Sequence, residues 1–362
     1  NNPAADNPWY NQESNFSNPS AQWGHDFNHE SSYTTSFFND VLDYWMTEYK
    51  IDGFRFDFTK GFSNTPYGTS SWGSTYDASR IAILKNYADQ VWSHSPSNKP
   101  YVIFEHLATN TEETELANYG IMLWGNMNHN YNQNTMGFSS DTDISWISYK
   151  NRGWNNPNLI GYMESHDEER LMYKNRQFGN VSGDYSVKNL TTALARQELA
   201  GMFLFTIPGP KMIWQFGELG YDISIDENGR VGRKPIKWEY KDDVNRNQIY
   251  TTWATMIAFK TNYPEVFNTS DFTLNVGNLT KSIVLKHPTF DVVIVGNFDV
   301  NENTINPVFQ DAGTWYDYFS GDSIVVVNVT ELLTLQAGEY HVYTTKKLQM
   351  PDYVGINDII YD

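Results

Sequence analysis

Large apolar side chains recur at every fourth position in one early stretch of the chain. This spacing places them on one face of a helix. A serine at position 31 or 32 is available as the N-cap. The positions are Tyr33, Phe37, Val41, Trp45 and Tyr49.

Short apolar runs and further helical patterns then alternate along the chain. Alternation of this kind predicts parallel strands joined by crossover helices. Five such strands make a partial (β/α)8 TIM barrel. The predicted strands span residues 51–57, 101–106, 121–124, 159–165 and 211–215, and the helical patterns run over residues 81–91, 188–204 and 249–257.

The pattern changes after Pro264. Apolar and polar residues alternate over 289–300 and 340–344, and a Phe-Ser-Gly-Asp turn precedes the apolar run 324–327. No helical pattern intervenes, so residues 270–347 are predicted to form an antiparallel β-sandwich. Residues 1–30 lack periodicity, residues 31–265 form the predicted barrel portion, and residues 348–362 are predicted to be a tail or linker.

Composition narrows the class of partner. The formal net charge of −18 argues against nucleic acid, which needs basic patches. No apolar run is long enough to cross a membrane, and the lack of cysteine excludes disulfides.

Aromatic residues are abundant and can stack on sugar rings. The candidates in Gly-, Asn- or Ser-rich stretches are Trp9, Tyr10, Trp23, Trp72, Trp124 and Trp154.

Two acidic residues follow predicted strands in opposed environments. Arg55 and Asp57 point to the same face of their strand, because side chains alternate. The arginine keeps the carboxylate ionised, which suits a nucleophile. Glu105 follows an apolar run, which raises a carboxyl pKa and suits a general acid. Such a pair is what glycoside cleavage requires.

A third acid, Asp167, follows a later strand. Glu105 comes 48 residues after Asp57, and Asp167 comes 62 residues after Glu105, so each gap can hold a helix and its loops. Arg55 with Asp57 alone would more often be a structural ion pair, and His166 with Asp167 alone a surface or capping pair. Three acids, each after an apolar run, instead favour an active site at the C-terminal face of a barrel.

These segments resemble the conserved regions of the α-amylase superfamily, glycoside hydrolase family 13. The similarity extends from about residue 20 to about residue 345. The matching segments are Asp26-Phe27-Asn28, Gly53-Phe54-Arg55-Phe56-Asp57 with Lys60, Phe104-Glu105 and Glu164-Ser165-His166-Asp167.

The resemblance implies a role for each matching residue. It makes Asp57 the nucleophile, Glu105 the acid and base, and Asp167 a residue that binds sugar hydroxyls and distorts the ring. The three substrate-binding residues that it implies are Arg55, Lys60 and His166.

Two departures from the family pattern stand out. Gly61 follows Lys60, where many α-amylases carry a histidine. The family's first region, which belongs to the third strand, is absent. We therefore expect the chain to be the C-terminal portion of a longer enzyme, covering about strands four to eight. Residues 1–30 would then be the tail of the domain inserted after strand three.

The expected function is retaining hydrolysis of α-1,4-glucosidic bonds in starch, glycogen or maltooligosaccharides. The alternatives are glycosyl transfer or branching on the same site, and a non-catalytic glucan-binding protein. Digestion of a polymer favours an extracytoplasmic location.

No cofactor is required for this chemistry. Asp26 and Asn28 could supply ligands to a structural calcium ion, or they could cap the following helix; two candidates fall short of the roughly six to eight oxygens that calcium takes.

Overall fold

A computed structural model of the chain describes residues 3–349, which form two compact units. The first unit contains residues 3–125 and 149–160, and the second contains residues 126–148 and 161–349. Most of the predicted tail, residues 350–362, lies outside the described part.

The first unit contains three helices and three parallel strands, together with the start of a fourth strand. A 3₁₀ turn at Thr59–Gly61 follows the first strand. In chain order the elements are α1 (Ser32–Glu48), β1 (Gly53–Phe56), α2 (Ala78–Ser93), β2 (Tyr101–Phe104), α3 (Asn110–Tyr119), β3 (Met122–Asn126) and the beginning of β4 (Leu159–Tyr162).

Parallel pairing aligns the ends of β1 and β2. Gly53 pairs with Tyr101 and Phe56 with Phe104, so the residues after each strand emerge side by side. The glycine is required, because a Cβ at position 53 would overlap the Tyr101 carbonyl. The next strand, β3, pairs with β2, and the first residues of β4 lie beside β3. The strand ends therefore share one edge of the sheet.

Helix α1 forms as its periodicity predicts, and Ser31 is its N-cap residue. Its aromatic stripe, however, is not buried within the described residues. Tyr33 and Tyr49 are 62% and 58% exposed, and Leu42 is among the few buried positions. Strand β1 has only β2 as a partner within residues 3–349, so β1 is an edge strand of the parallel sheet there.

The second unit begins with helix α4 and the end of β4, and it continues into the C-terminal strands. Its helices are α4 (Asn128–Met136), α5 (Leu171–Phe178), α6 (Leu190–Phe205), α7 (Val244–Asn262) and the short α8 (Pro264–Phe267). Its strands are β5 (Val181–Ser182), β6 (Tyr185–Ser186), β7 (Lys211–Met212), β8 (Phe272–Asn275), β9 (Thr280–Leu285), β10 (Val292–Asn297), β11 (Asn303–Ile305), β12 (Gly313–Asp317), β13 (Ser323–Val326), β14 (Leu333–Leu335) and β15 (Tyr340–Thr344).

Both kinds of sheet occur in this unit. The end of β4 pairs in parallel with β7 through Gly161 and Tyr162. The C-terminal strands form a six-stranded antiparallel sheet in the order β13-β12-β15-β10-β9-β8, and β11 pairs with β14 in a separate two-stranded sheet. These sheets lie within residues 270–347, for which the alternation over 289–300 and 340–344 predicted antiparallel strands.

One apolar core joins the helices of the second unit to its antiparallel sheet. Phe203 of α6 packs on Phe298 with ring centroids 5.5 Å apart, and Phe259 of α7 stacks on Tyr318 at 4.3 Å. A Cβ at Gly296 would collide with Phe203, so β10 can approach α6 only with glycine there.

The structure confirms a partial parallel sheet with helices between its strands, followed by antiparallel sheets. The numbering of the strands within a barrel and the domain boundaries at 30, 265 and 347 stay predictions. Helices α3, α4 and α5 were not predicted, because α3 and α4 are polar in sequence and α5 has only eight residues. No helix in residues 3–349 combines the length and apolarity that a membrane crossing needs.

Candidate active site

Arg55 joins the two acidic residues of the first unit. Its guanidinium donates through Nη1 to the Asp57 carboxylate and through Nη2 to Glu105 Oε2 at 2.7 Å. The two acids follow the paired strands β1 and β2, which explains why they meet. The predicted shared face of Arg55 and Asp57 is therefore present, and Glu105 joins the same cation.

The two carboxyl groups differ in environment. The Asp57 side chain is 76% exposed, whereas that of Glu105 is only 17% exposed. Burial raises the pKa of Glu105, and the neighbouring Asp57 raises it further, while the Phe58 amide and the Arg55 charge lower it. Burial prevails, so Glu105 favours its protonated form more than an ordinary glutamate, as its apolar strand predicts.

Phe58 has an unusual backbone conformation directly after Asp57. Its φ of 41° and ψ of 50° lie in the left-handed region, which is unfavourable for a bulky residue. This turn directs the Phe58 amide to Glu105 Oε2 at 3.1 Å. Strained backbone conformations cluster at functional sites. Here the strained conformation lets the Phe58 amide donate a hydrogen bond to Glu105.

Trp124 lies beneath the guanidinium. The Arg55 Cζ atom stands 4.2 Å from the centre of the Trp124 ring, a cation–π contact. Trp124 is buried on β3 and Trp154 is buried as well, its Nε1 donating to Asn110. Trp124 thus belongs to the predicted strand 121–124, and Trp154 lies outside helices and strands as expected, but both are too buried to serve as sugar platforms.

A buried ionic network lies behind Glu105. The Thr59 hydroxyl donates to the Glu105 carbonyl at 3.1 Å and lies 2.8 Å from His106 Nδ1. His106 Nε2 lies 2.8 Å from Glu112 Oε1, and Arg80 binds both Glu112 oxygens at 2.7 Å. The side chains of Arg80, His106 and Glu112 are inaccessible to solvent. This network anchors the backbone on which Glu105 stands.

Lys60 is buried rather than open to solvent. Its ammonium lies 3.3 Å from the Ser74 hydroxyl and 3.5 Å from the Leu107 carbonyl, and burial lowers its pKa. Its own carbonyl accepts from Arg80 at 3.0 Å. A role for Lys60 in substrate binding stays a prediction.

The second unit contains the other predicted site residues. His166 Nε2 lies 3.3 Å from Asp167 Oδ2, and the two side chains are 44% and 50% exposed. They follow β4, as predicted, and the Asp167 amide donates to Ser165 Oγ at 3.1 Å. The structure thus pairs His166 with Asp167, and in the first unit it groups Arg55, Asp57 and Glu105.

Aromatic rings cluster beside Asp57. The Phe58 ring lies 5.2 Å from that of Trp23 and 6.3 Å from that of Trp72. Trp23 is 70% exposed and Trp72 is 42% exposed. A cavity of about 300 Å³ is lined by Asp57, Phe58, Trp23 and His25 among others. Its volume is at the lower limit of small-molecule sites.

Asp26 and Asn28 take part in a polar cluster. Asp26 Oδ2 accepts from Asn11 Nδ2 at 3.1 Å and from the Asn15 amide at 3.0 Å, and Asn28 Oδ1 accepts from Asn64 Nδ2 at 2.9 Å. Neither residue is the N-cap of α1. The Asp26 carboxylate faces amide donors rather than a cage of oxygens, so these residues do not fit a calcium ion well. Calcium at Asp26 stays untested.

Sequence reasoning missed the network of Arg80, His106 and Glu112. The only available signal was the position of His106 directly after Glu105. Arg80 and Glu112 lie 32 residues apart in the chain, and nothing in their local sequence indicates that they pair.

No family model matches the sequence, and no curated protein matches it. Solved structures do resemble its fold. An α-amylase from Geobacillus thermoleovorans, complexed with acarbose, has a TM-score of 0.66 at 15% identity, over 93% of this chain and 71% of its own. An Anoxybacillus α-amylase has a TM-score of 0.66 at 15% identity, over 93% and 70%.

A cyclomaltodextrin glucanotransferase with a three-domain ABC distribution is also similar. It has a TM-score of 0.66 at 15% identity, and the match covers 90% of this chain but only 62% of that enzyme. The structural neighbours are enzymes of the α-amylase family. Over most of its length, the chain therefore has the fold of α-amylase-type enzymes.

Proposed function

We propose that the chain is a retaining glycosidase that cleaves α-1,4-glucosidic bonds in starch-type glucans. The observation that carries this proposal is that one guanidinium binds both Asp57 and Glu105. The Asp57 side chain is exposed, whereas that of Glu105 is largely buried and has a raised pKa. Retaining glycosidases need one ionised and one protonated carboxyl group close together. The fold likeness to α-amylases supports the choice of α-glucan.

The first half of the proposed reaction uses both acids. Glu105 donates its proton to the glycosidic oxygen, which leaves with the bonding electron pair. Asp57 attacks the anomeric carbon and forms an ester bond to the sugar. Arg55 stabilises the Asp57 carboxylate and keeps it available for attack.

The second half returns the enzyme to its starting state. Glu105, now ionised, removes a proton from water, and the oxygen attacks the anomeric carbon. The bond to Asp57 breaks and the carboxylate is released. Asp167 and His166 are proposed to bind sugar hydroxyls, and the chemical steps themselves need no cofactor.

The aromatic cluster of Trp23, Phe58 and Trp72 is the proposed sugar platform. Aromatic faces pack on the C–H faces of glucose, and tryptophan adds a polar N–H at its edge. Trp23→Ala should raise KM for maltooligosaccharides several-fold with a smaller effect on kcat. Trp238→Ala is the matched control, because Trp238 is also exposed, at 65%, and its ring packs on Phe216 rather than on Phe58. Equal effects of the two variants would remove Trp23 from the substrate site.

The test of the reaction uses Asp57→Asn and Glu105→Gln with a reducing-end assay on maltoheptaose. We expect losses on the order of 10⁴-fold for the nucleophile and roughly 10²- to 10⁴-fold for the acid. Both substitutions are nearly isosteric, and circular dichroism checks the fold. Normal turnover in either variant would refute the role of that residue.

Glycosyl transfer is the second candidate function, favoured by the fold likeness to a glucanotransferase. The same two acids would serve, with a sugar hydroxyl replacing water as acceptor. Chromatography of the products separates the candidates, since transfer yields longer or cyclic glucans and hydrolysis yields new reducing ends. Binding of maltooligosaccharides in calorimetry without any product would instead support a non-catalytic glucan-binding protein.

A further inference from the structure

The loop of residues 227–234 in the second unit is organised around one lysine. Lys234 Nζ lies 2.9 Å from the carbonyl oxygen of Glu227 and 2.7 Å from that of Gly229. It also lies 3.3 Å from the Arg230 carbonyl and 3.0 Å from the Gly232 carbonyl. An ammonium has only three protons, so four oxygens share them. Convergence of carbonyl oxygens on one cation is the arrangement that metal ions impose on protein loops.

The backbone conformation of the loop calls for a positive charge at its centre. Asn228 and Gly229 both have left-handed φ values, of 58° and 81°. The Gly229 amide donates to Asp226 and the Gly232 amide to Gly229, each at 2.9 Å, which folds the segment into successive turns. The turns direct several carbonyl dipoles inward, and without a positive charge these dipoles would repel one another.

The same loop holds the segment that carries Asp167. Arg230 donates through Nη2 to the Asp167 carbonyl oxygen. Just before the loop, Ser224 Oγ donates to Glu169 Oε2 at 2.7 Å and the Ile225 amide donates to Glu169 Oε1 at 2.9 Å. Arg230 therefore links the loop to the Asp167 backbone, and the residues just before the loop hold the Glu169 side chain.

We propose that Lys234 is a positioning residue that acts as an internal cation. Its ammonium closes the 227–234 loop, and the closed loop presents Arg230 to the Asp167 carbonyl. The part of this inference that concerns substrate rests on the proposed function, whereas the part that concerns loop closure does not. Lys234 itself does not touch the reacting atoms.

Limited proteolysis with trypsin tests loop closure without any need for activity. Arg230 and Arg233 are trypsin sites inside the loop, and Lys234 is protected by the following Pro235. Because hydrogen bonds from a charged donor are among the stronger ones, Lys234→Ala should accelerate cleavage after Arg230 and Arg233 by about tenfold or more. Unchanged cleavage in Lys234→Ala would overturn the proposal.

Rescue by a small cation separates lost charge from lost packing. Lys234→Ala leaves space among the carbonyl oxygens, and added ammonium or potassium should restore resistance to trypsin. Lys234→Met fills the space without charge, so the same salts should not restore it. Equal protection of both variants by salt, or of neither, would contradict an internal cation. The control is Lys237→Ala, which removes a nearby lysine that pairs with Glu239 at 3.0 Å.

A double-mutant cycle tests positioning. Lys234→Ala and Arg230→Met should each lower kcat/KM for maltoheptaose by a similar factor, and the double variant should lose little more, because both act through one contact. If the factors lost in kcat/KM by the two single variants instead multiply in the double variant, Lys234 does not act through Arg230. If the chain hydrolyses no glucan, the trypsin result still decides loop closure, so the two failures are distinguishable.

Discussion

The two sets of proposed site residues are held by different means. In the first unit, Asp57 and Glu105 follow paired strands, share Arg55, and stand in front of the buried network of Arg80, His106 and Glu112. In the second unit, His166 and Asp167 are half-exposed, and Arg230 of the 227–234 loop donates a hydrogen bond to the Asp167 carbonyl. A buried ionic network thus lies behind the acids proposed to make and break bonds. The pair proposed to bind hydroxyls is instead held by a loop.

The difference has an electrostatic basis. A fully buried ion pair loses much when one partner is removed, because the other charge stays in a medium of low polarity. A half-exposed pair is screened by water and contributes little to stability. Substitutions in the buried network should therefore lower the stability of the first unit strongly. Substitutions around the half-exposed pair should lower the stability of the second unit only slightly.

The largest effect is expected from Glu112→Gln. Arg80 would keep its charge with no carboxylate beside it, and unfolding of the first unit should become easier by about 3–5 kcal/mol. The measurement is urea denaturation followed by tryptophan fluorescence. Glu115→Gln on the same helix is the control, because Glu115 pairs with Lys85 at the surface, and it should change stability by about 1 kcal/mol or less. Equal losses would show that burial does not distinguish the two pairs.

A second large effect should come from acid. Burial lowers the pKa of His29 to about 4, below its usual 6.5, and its ring stacks on Phe62 at 4.0 Å. The folded state therefore binds fewer protons than the unfolded state between these values. The stabilising contribution is complete above about pH 6.5 and is lost as the pH falls toward 4, by roughly 3 kcal/mol at most.

Thermal unfolding across this range measures the effect of His29. His29→Gln should flatten the decline between pH 6.5 and 4. His25, which is exposed in the same unit, provides the control as His25→Gln. A decline of unchanged steepness in His29→Gln would assign the acid sensitivity to other groups.

Arg55→Met should shift the pH dependence of Glu105. The arginine lowers the pKa of this glutamate, so its removal should raise that pKa. Hydrolysis needs protonated Glu105, and the alkaline limb of kcat/KM should move to higher pH even as the rate falls. A shift toward lower pH would contradict the assignment of Glu105 as the acid, and carbon-13 titration of Glu105 gives the same answer without turnover.

The smallest effect is expected from Glu169→Gln in the second unit. The amide keeps one acceptor for Ser224 or Ile225 but loses the negative charge. Stability should fall by about 1 kcal/mol, as measured by urea denaturation. A loss as large as that of Glu112→Gln would show that these contacts stabilise the second unit as strongly as the buried network stabilises the first.

The sequence was informative where local periodicity determines structure. Apolar runs placed β1 and β2 before Asp57 and Glu105, and side-chain alternation put Arg55 and Asp57 on one face. Helix α4, by contrast, contains five polar amides in nine residues and shows no apolar stripe. Tertiary contacts rather than propensity stabilise it, so periodicity could not reveal it.

Other features depend on contacts between distant residues. Trp124 ends a predicted strand and was also a candidate sugar platform, and only the structure shows that it lies on β3 against Arg55. The four carbonyl oxygens around Lys234 result from left-handed turns that composition alone does not specify. The candidate acids and Arg55 could be named from the sequence, whereas the buried network behind Glu105 and the loop around Lys234 could not.

The most direct test is to trap the proposed ester on Asp57. In Glu105→Gln, α-maltosyl fluoride needs no acid to lose fluoride, and the base that would activate water is absent, so the intermediate should accumulate. Peptide mass spectrometry should find one maltosyl group on the peptide containing Asp57, and the Asp57→Asn, Glu105→Gln double variant should carry none. A maltosyl group on a different residue, or undiminished fluoride release from the double variant, would contradict Asp57 as the nucleophile.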